Sequence, residues 1–237
     1  MTQPHAVAHG ATFQPPDRPG GWPRPTWVDQ IPRRAAEVEP AWYSRFLPPK
    51  VGVRHSAVLA LFGPGPGGDE SLLLIERAHT LRKHPGQIAF PGGGIDPEDG
   101  GPVGAALREA AEEIHLDAAG VDVVGELPAL WVPVSGYAVT TVVGWWRDPS
   151  SVAVGEPQEV AQVLSVPVDY LTDPGNRHTA LYPSGHSGPA WDLDDRDLLL
   201  WGFTGGVVDK LLELAGRTRP WDREVRRPVP ERYWRGR

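Results

Sequence analysis

The alternation of apolar and polar positions separates the chain into stretches of two periods. Val103, Leu107, Ala110 and Ile114 recur at helical spacing, which predicts a helix with one apolar stripe. Val207, Val208, Leu211, Leu212 and Leu214 predict a second helix over 204–214. Short apolar runs bounded by Gly, Pro or polar clusters predict strands at 55–62, 71–76, 87–90, 121–127, 137–146, 160–166 and 198–201. The glycine- and proline-rich stretch 63–68 joins the first two as a hairpin with a long connection. Residues 168–171 read as one helical turn, and 36–46 as a short helix stopped by Pro48 and Pro49.

Strands outnumber helices, and the two clearest helices lie far apart. An α+β sandwich, with helices packed on a mixed sheet, therefore fits better than a regular βαβ alternation. Residues 1–35 are rich in Pro, Gly and His with little periodicity, and predict a flexible, loosely draped arm, although Trp22 and Trp27 argue that parts of it dock. Residues 36–216 then form the domain. The Arg-rich segment 217–237 reads as a solvated tail rather than an anion site.

Composition narrows the function. A net charge of −7 argues against a nucleic-acid partner, which usually calls for a basic excess. The absence of cysteine removes disulfide and thiol chemistry. No apolar run approaches the length of a membrane span, so the expected location is cytoplasmic, with no membrane partner.

The candidate chemistry sits on the helix that carries Val103 to Ile114. Glu109, Glu112 and Glu113 fall at i, i+3 and i+4 on one face, with no Lys or Arg interleaved and with the apolar stripe opposite. Like charges so spaced cost an isolated helix roughly 0.2–0.5 kcal/mol per pair. A hard divalent cation, Mg²⁺ or Mn²⁺, turns that repulsion into a binding site. Alone, such a run is an ordinary solvated helix face. The glycine turn Pro91-Gly92-Gly93-Gly94 just upstream, and the stripe that holds the helix against a core, make the metal site the better reading.

Residues 93–116, ending in ALREAAEEIHL, resemble the signature box of the Nudix hydrolases: Arg108, Glu109, Ala110, Glu112, Glu113 and Leu116 match its second half position by position. Two departures are visible. The upstream Glu position falls on Gly100, beside Asp99, with one extra residue between Gly93 and Arg108; and His115 replaces the Gly that closes the helix, where a left-handed backbone is expected. The run from Leu81 to Gly93, with Asp96 and Asp99, is similar to the coenzyme A pyrophosphatase branch. So are the stretches Ser135-Gly136-Tyr137-Ala138-Val139 and Leu200-Trp201-Gly202-Phe203-Thr204.

The resemblance implies a Nudix-like α/β/α sandwich and metal-dependent hydrolysis of a small-molecule nucleotide diphosphate. The branch implies coenzyme A or its derivatives as substrate, giving 3′,5′-ADP and 4′-phosphopantetheine. Glu109, Glu112 and Glu113 are then the metal ligands, and Arg108 orients or screens a carboxylate. A general base is often a Glu on a separate loop in such enzymes. Glu159 is preferred to Glu156 because it stands immediately before a strand. Arg77, Arg82, His84, Gly92, Gly93 and Tyr137 are the substrate-binding candidates, with Trp131 a second ring for stacking. A homodimer is left open. Other diphosphates (NADH, ADP-ribose, nucleotide sugars), a non-hydrolysing nucleotide sensor, and a scaffold working through the Pro-rich arm are the alternatives. For the scaffold, deleting 1–35 abolishes function while hydrolysis by the core survives.

Overall fold

The run of apolar residues at 57–62 becomes the centre of a sheet covered on both faces, which is why it reads as continuous rather than alternating. The computed structural model describes residues 7–39, 42, 52–133, 135–193 and 198–234. In chain order come β1 (Ala8–Gly10), β2 (Thr12–Phe13), α1 (Thr26–Ala35), β3 (Arg54–Pro64), β4 (Glu70–Arg77), β5 (Ile88–Ala89), β6 (Gly92–Gly94) and α2 (Pro102–Ile114). There follow β7 (Val121–Glu126), β8 (Leu130–Val132), β9 (Tyr137–Trp146), β10 (Val152–Ala153), β11 (Val160–Pro167) and α3 (Val168–Thr172). The chain continues through β12 (Arg177–Leu181), β13 (Ser187–Leu193), β14 (Leu198–Leu200), α4 (Gly202–Leu214) and β15 (Arg226–Pro228).

The main sheet runs β1-β11-β4-β3-β9-β7. Its β3–β9 pair is parallel, from Arg54↔Tyr137 to Phe62↔Trp145, while β3–β4, β4–β11 and β7–β9 are antiparallel. Period-two alternation splits its side chains between two layers. Leu59, Leu61, Leu73, Ile75, Val142 and Trp146 pack with Ala106, Ala110 and Ile114 of α2. Ala60, Phe62, Leu72, Leu74, Val143 and Trp145 pack on the other side with Val28 and Ile31 of α1 and Leu211 and Leu212 of α4. The result is the α/β/α sandwich with a mixed sheet. A smaller sheet, β14-β13-β12-β15, lies under α4.

The predicted hairpin is present, with Phe62 paired to Leu72, and the 137–146 strand has its expected bounds. Two expectations are corrected. Residues 7–35 are not a loose arm: β1 pairs with β11, α1 buries Val28 and Ile31 completely, and Trp27 donates to Glu70 Oε2 at 3.0 Å. Pro-rich flanks hid a helix whose apolar face is only a few residues long. The tail is not merely solvated either, since β15 pairs in parallel with β12 and Tyr233 is buried. Strands β12 and β13 went unread because RHTAL and SGPAWDL carry Gly, Pro and His among few apolar residues. Of the predicted 36–46 helix, 36–38 are turn and bend, 39 is irregular, 42 is helical, and 40, 41 and 43–46 lie outside the described residues.

Candidate active site

Helix α2 begins behind Gly101 with Pro102 in its first turn, where a missing N–H costs nothing. It ends at His115, whose φ of 55° is the left-handed backbone expected there; the His115 and Leu116 N–H groups close on Ala111 O (3.0 Å) and Ala110 O (3.3 Å). The helix end survives the loss of the glycine.

Its three glutamates differ sharply in environment. Glu113 is 2% exposed and accepts from the Gly92 N–H at 2.9 Å. Burial pushes its carboxyl up to about 8, against the opposing pull of that N–H and of Arg77. Glu109 is raised as well, chiefly by burial, with Arg108 working the other way. Glu112 is the exposed member, its side chain 47% accessible. The expectation that all three acids point away from the core therefore holds poorly: Glu113 is part of the packed interior.

Arg108 is the pivot, standing against the carboxylates that the sequence expected it to orient or screen. Its Nη1 lies 3.1 Å from both Glu109 Oε1 and Glu112 Oε2. Its Nε and Nη2 grip the two carboxylate oxygens of Asp99 at 2.7 and 3.1 Å, and Nη2 also donates to Gly94 O. The Arg108 fork holds the Asp99 carboxyl below the usual range, helped by the Asp96 N–H, and Asp99 in turn raises Arg108 further. Asp99, beside the expected Glu position, thus ties the glycine turn to α2. Its role is the part of the extra-residue spacing that sequence alone did not reveal.

The glycine turn is shaped by close approach. A Cβ on Gly93 would fall 2.3 Å from Glu109 Oε1, and one on Gly92 2.3 Å from Ala57 O. Only glycine lets β6 lie on β3 while leaving Glu109 in place. On the far side of α2, the Gly155 N–H donates to Glu113 O at 2.8 Å, and a Cβ there would sit 2.2 Å from Glu112 O. That contact delivers the 156–159 loop to the helix end. The Glu159 charge reaches both Glu109 and Glu113, raising each, and Glu159 O accepts from the Ala78 N–H at 2.7 Å, immediately before β11. Glu156 is exposed on the same loop.

Gly92 and Gly93 line a cavity of about 540 Å³. Arg77, His84, Gln87, Val58 and Phe90 line it too, as do Tyr182, Trp201, Phe203 and Trp234. His84 adopts a left-handed backbone (φ 56°), and its Nδ1 lies 3.0 Å from Gln87 Oε1. Of the sequence candidates, Arg77, His84, Gly92 and Gly93 meet here. Arg82 is exposed on the preceding turn, and Tyr137 stacks under Arg54, whose guanidinium carbon is 4.3 Å from the ring centre; neither lines the cavity. Tyr182, Trp201, Phe203 and Trp234 are not among the site residues expected from the sequence. Their signal was the aromatic clustering at Trp201-Gly202-Phe203 and Tyr233-Trp234.

The donor set suits a hard divalent cation, since every candidate ligand is a carboxylate oxygen and the buried Glu113 charge has only one N–H against it. Among the described residues no three Asp, Glu or His side chains are already closed into a metal cage. Arg108 draws Glu109 and Glu112 while Gly92 holds Glu113, so the same acids that would ligate an ion are parcelled among these partners.

Comparison with known proteins agrees with this arrangement. The NUDIX domain model matches residues 53–182, more than half of the chain. A Shigella flexneri protein named uncharacterized Nudix hydrolase NudL is 38% identical over 168 residues, covering 70% of this chain and 84% of that protein. Its namesake in Escherichia coli strain K12 is 38% identical over 161 residues, covering 67% and 81%. In fold, the chain is similar to a Nudix hydrolase from M. smegmatis, RenU, with a TM-score of 0.50 and 24% identity over 73% of this chain and 92% of that one. The chain belongs to the Nudix family and is a hydrolase of phosphorus-containing anhydrides, acting on a diphosphate.

Proposed function

We propose that this hydrolase cleaves the pyrophosphate bond of coenzyme A or its derivatives, giving 3′,5′-ADP and 4′-phosphopantetheine or its acyl form. The observation that carries the reading is the cavity itself. The 81–93 run that resembles the coenzyme A branch builds one of its walls through His84, Gln87 and Phe90, and the same wall ends at the glycines that abut Glu109 and Glu113.

Glu109, Glu112 and Glu113 would hold Mg²⁺ or Mn²⁺. A bound ion of this kind neutralises charge on the diphosphate oxygens and acidifies nearby water. Water attacks one phosphorus, the bridging P–O bond breaks, and Glu159 takes the proton released by the water. Arg108 keeps Glu109 and Glu112 oriented through its anchor on Asp99, and Arg77 brings positive charge to the cavity mouth.

Incubating the purified protein and Mg²⁺ or Mn²⁺ with coenzyme A, acetyl-coenzyme A, NADH and ADP-ribose tests the proposal. Turnover of the first two at the highest kcat/KM supports it. Turnover of NADH or ADP-ribose without the first two rejects coenzyme A as the substrate, and no turnover of any rejects the catalytic assignment.

A further inference from the structure

The C-terminal segment, which lies beyond the matched domain, builds part of the substrate cavity. Strand β15 extends the small sheet through β12, Val229 N–H donates to Leu181 O at 3.0 Å, and the chain then crosses to the glycine-loop side. There Gln87 Nε2 donates to Tyr233 O at 3.2 Å, and the buried Tyr233 hydroxyl accepts from the Leu199 N–H at 3.2 Å. These bonds fix Tyr233, the residue immediately before the ring that follows. Trp234 Nε1 donates to Val229 O at 3.0 Å, which orients the indole, and its ring lines the cavity.

Trp234 shares the cavity with other aromatic rings. Trp201 meets Tyr182 edge-on at 5.2 Å and Tyr233 at 6.0 Å, so its ring is braced on two sides. Gly92 and Gly93, which adjoin Glu113 and Glu109, line the same cavity. A diphosphate held against these glycines leaves the rest of the molecule in the space that the rings line. Indole faces offer a large apolar platform to a flat heteroaromatic ring, whereas a flexible chain gains no comparable stacking.

We infer that Trp234, carried by the C-terminal segment, is a specificity-determining residue that together with Trp201 takes the planar base of the nucleotide half of the substrate. This rests on the diphosphate lying against the glycines, as in the function proposed above, but does not require coenzyme A to be the natural substrate. The segment supplies binding energy rather than chemistry, so its loss raises KM and leaves kcat nearly unchanged.

The test uses the full chain with Trp234→Ala and Trp234→Phe. Binding of ADP and of inorganic pyrophosphate is measured by calorimetry without divalent ions, and KM and kcat are measured with Mg²⁺ on whichever diphosphate the wild type turns over. The inference expects Trp234→Ala to weaken ADP roughly five-fold or more and to raise KM similarly. Pyrophosphate binding, kcat and the melting temperature stay put, and Trp234→Phe recovers most of the loss. Equal weakening of ADP and pyrophosphate, a fall in kcat with KM unchanged, or unaltered ADP binding each overturns it. If coenzyme A is not cleaved yet ADP binding still responds to Trp234, the substrate proposal fails and this inference stands. If coenzyme A is cleaved with wild-type KM by Trp234→Ala, the reverse holds.

Discussion

Glu113 shows how one side chain is made to need a partner. It is packed almost out of water beside Ile114, with a single backbone N–H on its carboxylate, so burial holds its proton to a pH near 8. Replacing it with Gln keeps the shape and the acceptor for Gly92 while removing the charge a cation would meet. Glu113→Gln is expected to lower kcat roughly a hundred-fold or more, with a melting temperature of the metal-free protein equal to or above that of the wild type. Unchanged turnover would remove Glu113 from the site, and a collapsed melting temperature would make its role structural. His178 poses the opposite case. It is buried on β12, with Asp192 Oδ2 at 3.7 Å and Arg227 nearby, and burial pushes its imidazole below the ordinary 6.5. The unfolded chain therefore takes up this proton at a higher pH than the folded one. Stability contributed by neutral His178 is present above about 6.5 and is lost as the pH falls toward the lowered value. Urea denaturation at pH 7.5 and 5.5 should show a smaller acid loss for His178→Gln than for the wild type.

At the scale of elements, what the sequence disclosed depended on how much of an element lay inside one apolar pattern. Helix α2 and strands β3, β4, β9 and β11 each carry their own run, and all were read within a few residues. Helix α1 was missed because its ten residues include Pro32 and two arginines, so that only Trp27, Val28, Ile31 and Ala35 are buried. Strand β15 is three exposed residues that pair with β12 through the backbone while Arg227 reaches Asp192 on β13, which no apolar pattern can announce. The glutamates were legible from spacing; the Arg108–Asp99 fork was not, because Asp99 reaches Arg108 only when the Pro97–Asp99 turn folds back. Helix α1 makes a further prediction. Deleting residues 1–35 removes Val28 and Ile31 from full burial, at a cost of several kcal/mol. The truncated chain should melt roughly 10 °C or more below the full chain, or fail to fold, which is contrary to the expectation that hydrolysis survives the deletion. An unshifted melting curve would show that α1 is dispensable.

The molecule as a whole places its catalytic face between its two sheets' worth of wall. The main sheet and α2 supply the acids and the glycines, and the small sheet with the C-terminal segment supplies the rings. Chemistry and recognition therefore rest on separately built parts, and substitutions in one should alter kcat while those in the other alter KM. One feature of the main sheet also sets the order of events during refolding. The central β3–β9 pairing is parallel and joins Arg54 to Tyr137, so the intervening chain, with the glycine turn and α2, must be gathered in before the two strands zip together. Helical content can recover early, since α2 is local. Catalytic competence has to wait for β9, and after dilution from denaturant the return of hydrolysis should lag behind the far-ultraviolet signal of the helices.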